Sequence, residues 1–250
     1  MGGLVLSLFP GIGLLDRAFE EEGFCIVRGP DLLWGGDIKR FHPPAGKFDG
    51  VIGGPPCKCF SPLANINLAR YGEGSLAPDL IQEFERCVAQ ADPSWFLMEN
   101  VLRAPLPQVG GFIVRDVILN ARWCGSEQNR ERRFSFGSMD GRSIHPQTEA
   151  LSPAKYEPAV TGTSGGRRAV PVYDENGRIR GKQGDADWHR LSSRSFERMV
   201  DLQGLPSGFL DDAPFTSRAK REIVANGVPL PMGRAVAKAV KRAILDAEAA

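Results

Sequence analysis

Four side chains, Cys57, Glu99, Arg130 and Arg132, hold most of the chemistry this 250-residue sequence offers. Cys57 follows "GGPP", two glycines and two prolines that stiffen the backbone in front of it. A thiol held at a fixed angle is a candidate nucleophile, because a reacting group that is slightly misplaced loses much of its rate. Glu99 closes the apolar run "WFLM", so its carboxylate stands where a buried segment gives way to polar residues. Arg130 and Arg132 alternate within "QNRERR", just ahead of "FSFG". On a strand that spacing aims both guanidiniums the same way, ready for carboxylates, phosphates or a base edge. Taken singly, each also has a plainer reading: an inert buried thiol, a solvated carboxylate, a solvent-facing strand.

The elements that must position these groups are legible as hydrophobic runs. "GGLVLSLFPGIGLLDRAFEEEGF" reads as strand, tight turn and amphipathic helix. "FCIVRGP" reads as a second buried strand ending near Asp31, and "FDGVIGG" as a third that stops before the prolines. "DLIQEFERCVAQA" is helical, with Leu80, Phe84 and Val88 on one face and Pro78 suited to its first turn. "SWFLMEN" is a further strand. Alternation of strands and helices predicts an α/β, doubly wound, mostly parallel sheet, whose ligands sit at the carboxyl ends of the strands. The glycine turn "FPGIG" falls at such an end and opens a helix, a place where the backbone can approach an anionic ligand. From Gly141 to about Arg190 the texture turns to Gly, Pro, Ser, Thr and Arg, with "RAVPVY" and "GRIRG" as short strands around "DENG". Helical patterning returns at "SRSFERMVDLQGLP". It is strong in the last segment, where Met232, Val236, Val240 and Ile244 recur every four residues behind prolines.

Composition sets limits. Hydrophobic residues make up 42% and charged residues 24%, as in ordinary globular domains. No apolar run is long enough to span a bilayer and no secretory pattern opens the chain, so a cytoplasmic protein is expected. Five scattered cysteines argue for reduced thiols, and with three histidines none has zinc-ligand spacing, so no metal is expected. Net charge is +1 but uneven: residues 1–121 carry 10 basic and 14 acidic side chains, residues 122–198 carry 14 and 10. The basic middle points weakly to a phosphate-rich partner, though such a stretch is more often just a solvated surface.

In order, "FPGIG", "PPCKCFS", "ENV", "QNRERR", "LQGLP" and "ANGVPLP" resemble the motif series of the C5-cytosine methyltransferases, over residues 4–140 and about 190–245. The resemblance implies a Rossmann-like sheet, S-adenosylmethionine as methyl donor, and double-stranded DNA as partner. It divides the chain into a catalytic, donor-binding domain at 1–140, a small target recognition region at 141–190, and a segment at 191–250 returning to the catalytic domain. By matched position, Phe9, Pro10, Gly11, Ile12 and Gly13 wrap the donor. Asp31 stands at its ribose with Leu32 beside it, and Asp37 and Ile38 stand at its adenine. Pro56, Leu80, Asn226 and Val228 complete the donor contacts. Cys57 matches the nucleophile, Glu99 the carboxyl group that grips the target base, and Arg130 and Arg132 the accompanying arginines. Lys58, Ser61, Arg167, Arg168, Arg178 and Arg180 are the residues expected at DNA. A monomer is expected.

The sequence also departs from the family pattern. Lys58 replaces a glutamine, and Asp31 is shorter than the usual Glu. Five residues separate Asp31 from Asp37, too few for the helix the family places there. Motifs alone leave two rivals open: an RNA cytosine methyltransferase of the same chemistry, and a DNA-binding relative with a decayed site.

Overall fold

The computed structural model describes residues 3–60, 78–149, 157–161, 172–173, 179–180 and 194–248. Strands β1 (Leu4–Leu8), β2 (Cys25–Arg28), β3 (Gly50–Gly53) and β4 (Trp95–Asn100) are parallel. After β5 (Ile113–Asn120) and the two-residue β6 (Gln128–Asn129), β7 (Glu131–Ser138) inserts between β4 and β5 and runs antiparallel to both. The sheet order is β2-β1-β3-β4-β7-β5.

Both faces of the sheet are covered, as a parallel sheet requires. Side chains alternate along each strand. Val5, Ile52, Leu97 and Phe134 therefore join one apolar cluster with α1 (Leu14–Glu21) and the long terminal helix Leu230–Glu248. Leu6, Leu8, Val51 and Met98 join the other, under α2 (Ile81–Ala91), where Phe84 and Val88 are fully buried. Two more helices, α3 (Phe196–Leu202) and α4 (Ser217–Asn226), precede the terminal helix, α5. On α5, Met232, Val236 and Val240 are buried, and Ile244 packs partly buried against the same cluster, as the four-residue spacing predicts.

Two local expectations change. β2 is an edge strand whose Cys25, Val27 and Arg28 are exposed, because the short Asp31–Asp37 connection holds one 3-10 turn, Leu32–Trp34, with a second, Ile38–Arg40, directly after it, and neither is a strand that could cover β2. Pro78 lies outside α2; Asp79 opens that helix by accepting the Ile81 amide at 2.9 Å.

In the middle segment, β8 (Glu157–Pro158) pairs with β6, and β9 (Val172–Tyr173) pairs antiparallel with β10 (Ile179–Arg180); the turn expected at "DENG" lies outside the described residues. Among the described residues no helix is long and apolar enough to cross a membrane.

Candidate active site

One end of the sheet gathers the candidate chemistry. Leu8 of β1 pairs with Gly53 of β3, and Gly53 with Met98 of β4, so these strands end side by side. The glycine turn after β1 and the proline turn after β3 are therefore neighbours. They also flank the point where strand order reverses, β1 to β2 on one side and β1 to β3 on the other, the usual crevice for a ligand of a doubly wound sheet.

Cys57 sits half-buried on the second turn, followed by a 3-10 turn, Lys58–Phe60, that closes with the Phe60 amide on the Cys57 carbonyl at 3.0 Å. Buried Asn100, at the end of β4, donates from Nδ2 to the Pro55 carbonyl at 3.1 Å, fastening the proline turn to the strand that carries Glu99. The Glu99 carboxylate is buried and pairs with Arg132: Nε stands 2.8 Å from Oε1. Its other oxygen faces Gly54, where a Cβ would lie 3.1 Å from Oε2. The missing side chain at Gly54 leaves that oxygen its room.

Arg130 and Arg132 do not share a target. The strand is interrupted at Arg130, between β6 and β7, and the Arg130 guanidinium turns to backbone carbonyls. Nη1 donates to Val160 at 2.8 Å, and Nη2 to Ala225 at 2.8 Å and Gly227 at 3.2 Å. Arg130 Nε is buried without a partner among the described residues. Burial pushes this guanidinium down to about 9, with the Arg132 charge adding to the effect, while Glu99 and Cys57 act the other way. It remains a cation at neutral pH. Burial, with the Asp79 carboxylate, also raises the Cys59 thiol above its ordinary value.

The residues expected at the donor surround the first turn. Phe9 adopts φ 56°, an unusual left-handed conformation for a bulky residue, next to Gly11 at φ 55° and Gly13 at φ 76°. Such local strain concentrates at ligand-binding turns. Asp31 caps the turn Leu32–Trp34 through the Leu33 amide at 2.7 Å, and its second oxygen accepts the Gly11 amide at 2.9 Å. Each oxygen retains lone pairs for hydroxyl groups, so the pair of turns suits a ribose. Leu32 is exposed, as is Asp37, whose Oδ1 caps Lys39, and Ile38 is buried beside it. Leu80 is buried and Pro56 exposed. The turn holding exposed Asn226 and buried Val228 reaches the same place, for a Cβ on Gly227 would stand 2.4 Å from Leu14 Cδ1, one residue after Gly13. Pro10 and Ile12 complete the turn, both half-buried.

Trp34, at the turn where the donor is expected, is a residue that sequence reasoning missed. Its indole nitrogen donates to the Gly11 carbonyl at 2.8 Å, and its ring packs on Phe215 at 5.7 Å. Of the residues expected at DNA, Ser61, Arg167, Arg168 and Arg178 lie outside the described residues, as do the side chains of Lys58 and Arg180. A cavity of about 610 Å³ opens at the opposite, amino end of the sheet, between Phe24, Trp95, Arg142 and Lys241, away from Cys57.

The family model for the C-5 cytosine-specific DNA methylases matches residues 35–164, just over half of the chain. The chain belongs to this family. It is 29% identical over 167 residues to Type II methyltransferase M.HgiDI of Herpetosiphon aurantiacus, covering 54% of itself and 52% of that relative. With Type II methyltransferase M.DdeI of Desulfomicrobium norvegicum it shares 25% over 256 residues, 79% of itself and 59% of the relative. It thus spans about half the length of relatives such as M.HgiDI. Entamoeba histolytica methyltransferase EhMeth has the same fold, with TM-score 0.59 at 11% identity over 99% of both chains. A mutant of Spodoptera frugiperda DNMT2 follows at 0.58 and 14%, over 96% of this chain and 99% of the other.

Proposed function

We propose that this methylase transfers a methyl group from S-adenosylmethionine to carbon 5 of a cytosine in double-stranded DNA, through a covalent adduct at Cys57. The observation that carries the reading is the arrangement at one sheet end: Cys57 on a turn that Asn100 fastens to β4, next to the Arg132–Glu99 pair at 2.8 Å.

Carbon 5 of cytosine is a poor nucleophile. Attack by the Cys57 sulfur on carbon 6 forms a C–S bond and moves electron density to carbon 5, which can then take a methyl group. A proton from Glu99 to ring nitrogen 3 eases the attack, and Arg132 fixes that carboxyl group and steadies the exocyclic oxygen as charge shifts onto it. Loss of the carbon 5 proton to a base, with the nitrogen 3 proton returning to Glu99, then breaks the C–S bond and releases the Cys57 thiolate. S-adenosylmethionine, when bound, supplies the electrophilic methyl group and leaves as S-adenosylhomocysteine. Phe9, Gly11, Asp31, Asp37 and Val228 would hold it, at the strand end next to Cys57. The target carbon is unreachable within a stacked duplex, so the base must leave the helix and enter the cleft. The basic residues expected at DNA, Lys58, Arg167, Arg168, Arg178 and Arg180, would hold phosphates meanwhile.

Bisulfite sequencing of DNA from cells expressing the chain tests this reading. Protected cytosines at a recurring short sequence are expected, and none with a Cys57→Ala control. Methylation of transfer RNA with DNA left unmodified would move the substrate to RNA. Neither product, from a folded chain that binds S-adenosylmethionine, would leave a binding module.

A further inference from the structure

Gln203 takes no part in the chemistry above, yet its side chain is completely buried. Its Nε2 donates to the Val224 carbonyl at 2.5 Å and the Gly227 carbonyl at 3.2 Å. Its Oε1 accepts from Gln128 Nε2 at 3.0 Å. Gln128 is buried as well; its Nε2 also donates to the Leu202 carbonyl at 2.5 Å, and its Oε1 accepts the Val160 amide at 3.2 Å.

The carbonyls that Gln203 reaches lie at the carboxyl end of α4, where a helix leaves its last carbonyls without partners of its own. A left-handed glycine commonly closes such an end with backbone hydrogen bonds. Here the capping residue, Gly227, is extended, with φ −69° and ψ 155°. Side chains from elsewhere in the chain replace the backbone cap: Gln203 on Val224 and Gly227, Arg130 on Ala225 and Gly227. The turn they fix is the one that carries Asn226 and Val228 and rests against Leu14 at the start of α1.

We propose that Gln203 is a positioning residue for the methyl donor. It keeps the 226–228 turn in place against the Phe9–Gly13 turn, although it reaches neither the donor nor the base. This rests on the reading that S-adenosylmethionine binds between those turns. Removing the amide leaves the buried Val224 carbonyl without a donor, and the turn must shift to find one. The Cys57, Glu99 and Arg132 group is held by other bonds and keeps its geometry.

The test compares Gln203→Met with wild type in two assays. Calorimetry measures S-adenosylmethionine binding without DNA. Release of tritium from carbon 5 of cytosine in duplex DNA, without donor, reads Cys57 attack alone. The dissociation constant for the donor is expected to rise about 10–100-fold while tritium release stays at the wild-type rate. Unchanged donor affinity overturns the proposal. So does a parallel fall in both assays, which makes Gln203 a support of the whole fold. Gln203→Leu, which likewise lacks the donating nitrogen and differs from Met in shape, is the second variant should the first fold poorly, and the same pattern is expected. Wild-type protein that binds no donor overturns the donor reading, and the proposal with it; a variant equal to a donor-binding wild type overturns the proposal alone.

Discussion

Arg132 lies two residues before Phe134, the β7 partner of Glu99, so the two side chains share a face of the sheet as diagonal neighbours. Their ion pair, 2.8 Å long and largely shielded from water, leaves one Glu99 oxygen toward Gly54 and the proline turn. On the proposed function, this is the carboxyl oxygen left to meet a base. A planar guanidinium is suited to such a hold, and a lysine is not.

Glu99→Gln keeps the shape but cannot act as an acid. Its methyl-transfer rate should fall by roughly 10²–10⁴-fold, the usual worth of a positioned proton donor, with S-adenosylmethionine affinity little changed. Single-turnover assays on duplex DNA measure it. A rate equal to wild type would make Glu99 structural.

Gly54→Ala tests the space beside that carboxylate. The added methyl would lie 3.1 Å from Glu99 Oε2, which cannot retreat freely because Arg132 holds the other oxygen. Single turnover should slow by about 10–100-fold, as expected when a reacting group is displaced, while thermal stability changes little. Full activity would mean that Oε2 is not the working oxygen.

For Arg130 the expectation is one of stability. Arg130→Met removes the donors to Val160, Ala225 and Gly227 in a buried setting, and should cost about 2–4 kcal/mol, read in denaturant unfolding. The loss is moderated because the buried cation itself is costly to desolvate. An unchanged midpoint would remove Arg130 from the framework.

Much of this was legible in the sequence because strand ends are punctuated. Glycines and prolines after Leu8 and Gly53, and Glu99 after an apolar run, mark where buried strands stop, and in a parallel sheet those ends meet. The spacing of Arg130 and Arg132 misled, since it assumes an unbroken strand. The Ala225 carbonyl that draws Arg130 away lies 95 residues along the chain, beyond the reach of any local pattern. Gln203 was hidden for the same reason. β5 escaped notice because "IVRDVILN", on a sheet edge, mixes exposed and buried residues without clean alternation. α4 escaped because "SRAKREIVAN" is largely polar and buries little beyond Val224 and Ala225.

The central claim is that Cys57 bonds to the target base, and one measurement addresses it directly. Incubation with S-adenosylmethionine and a random-sequence duplex pool containing 5-fluorocytosine should trap the adduct, because fluorine cannot leave carbon 5 as a proton does. Peptide mass spectrometry should then find the nucleotide on Cys57. Cys57→Ala should yield no adduct while still binding the donor. An adduct on Cys59 or another residue, or undiminished methyl transfer by Cys57→Ala, would contradict the account.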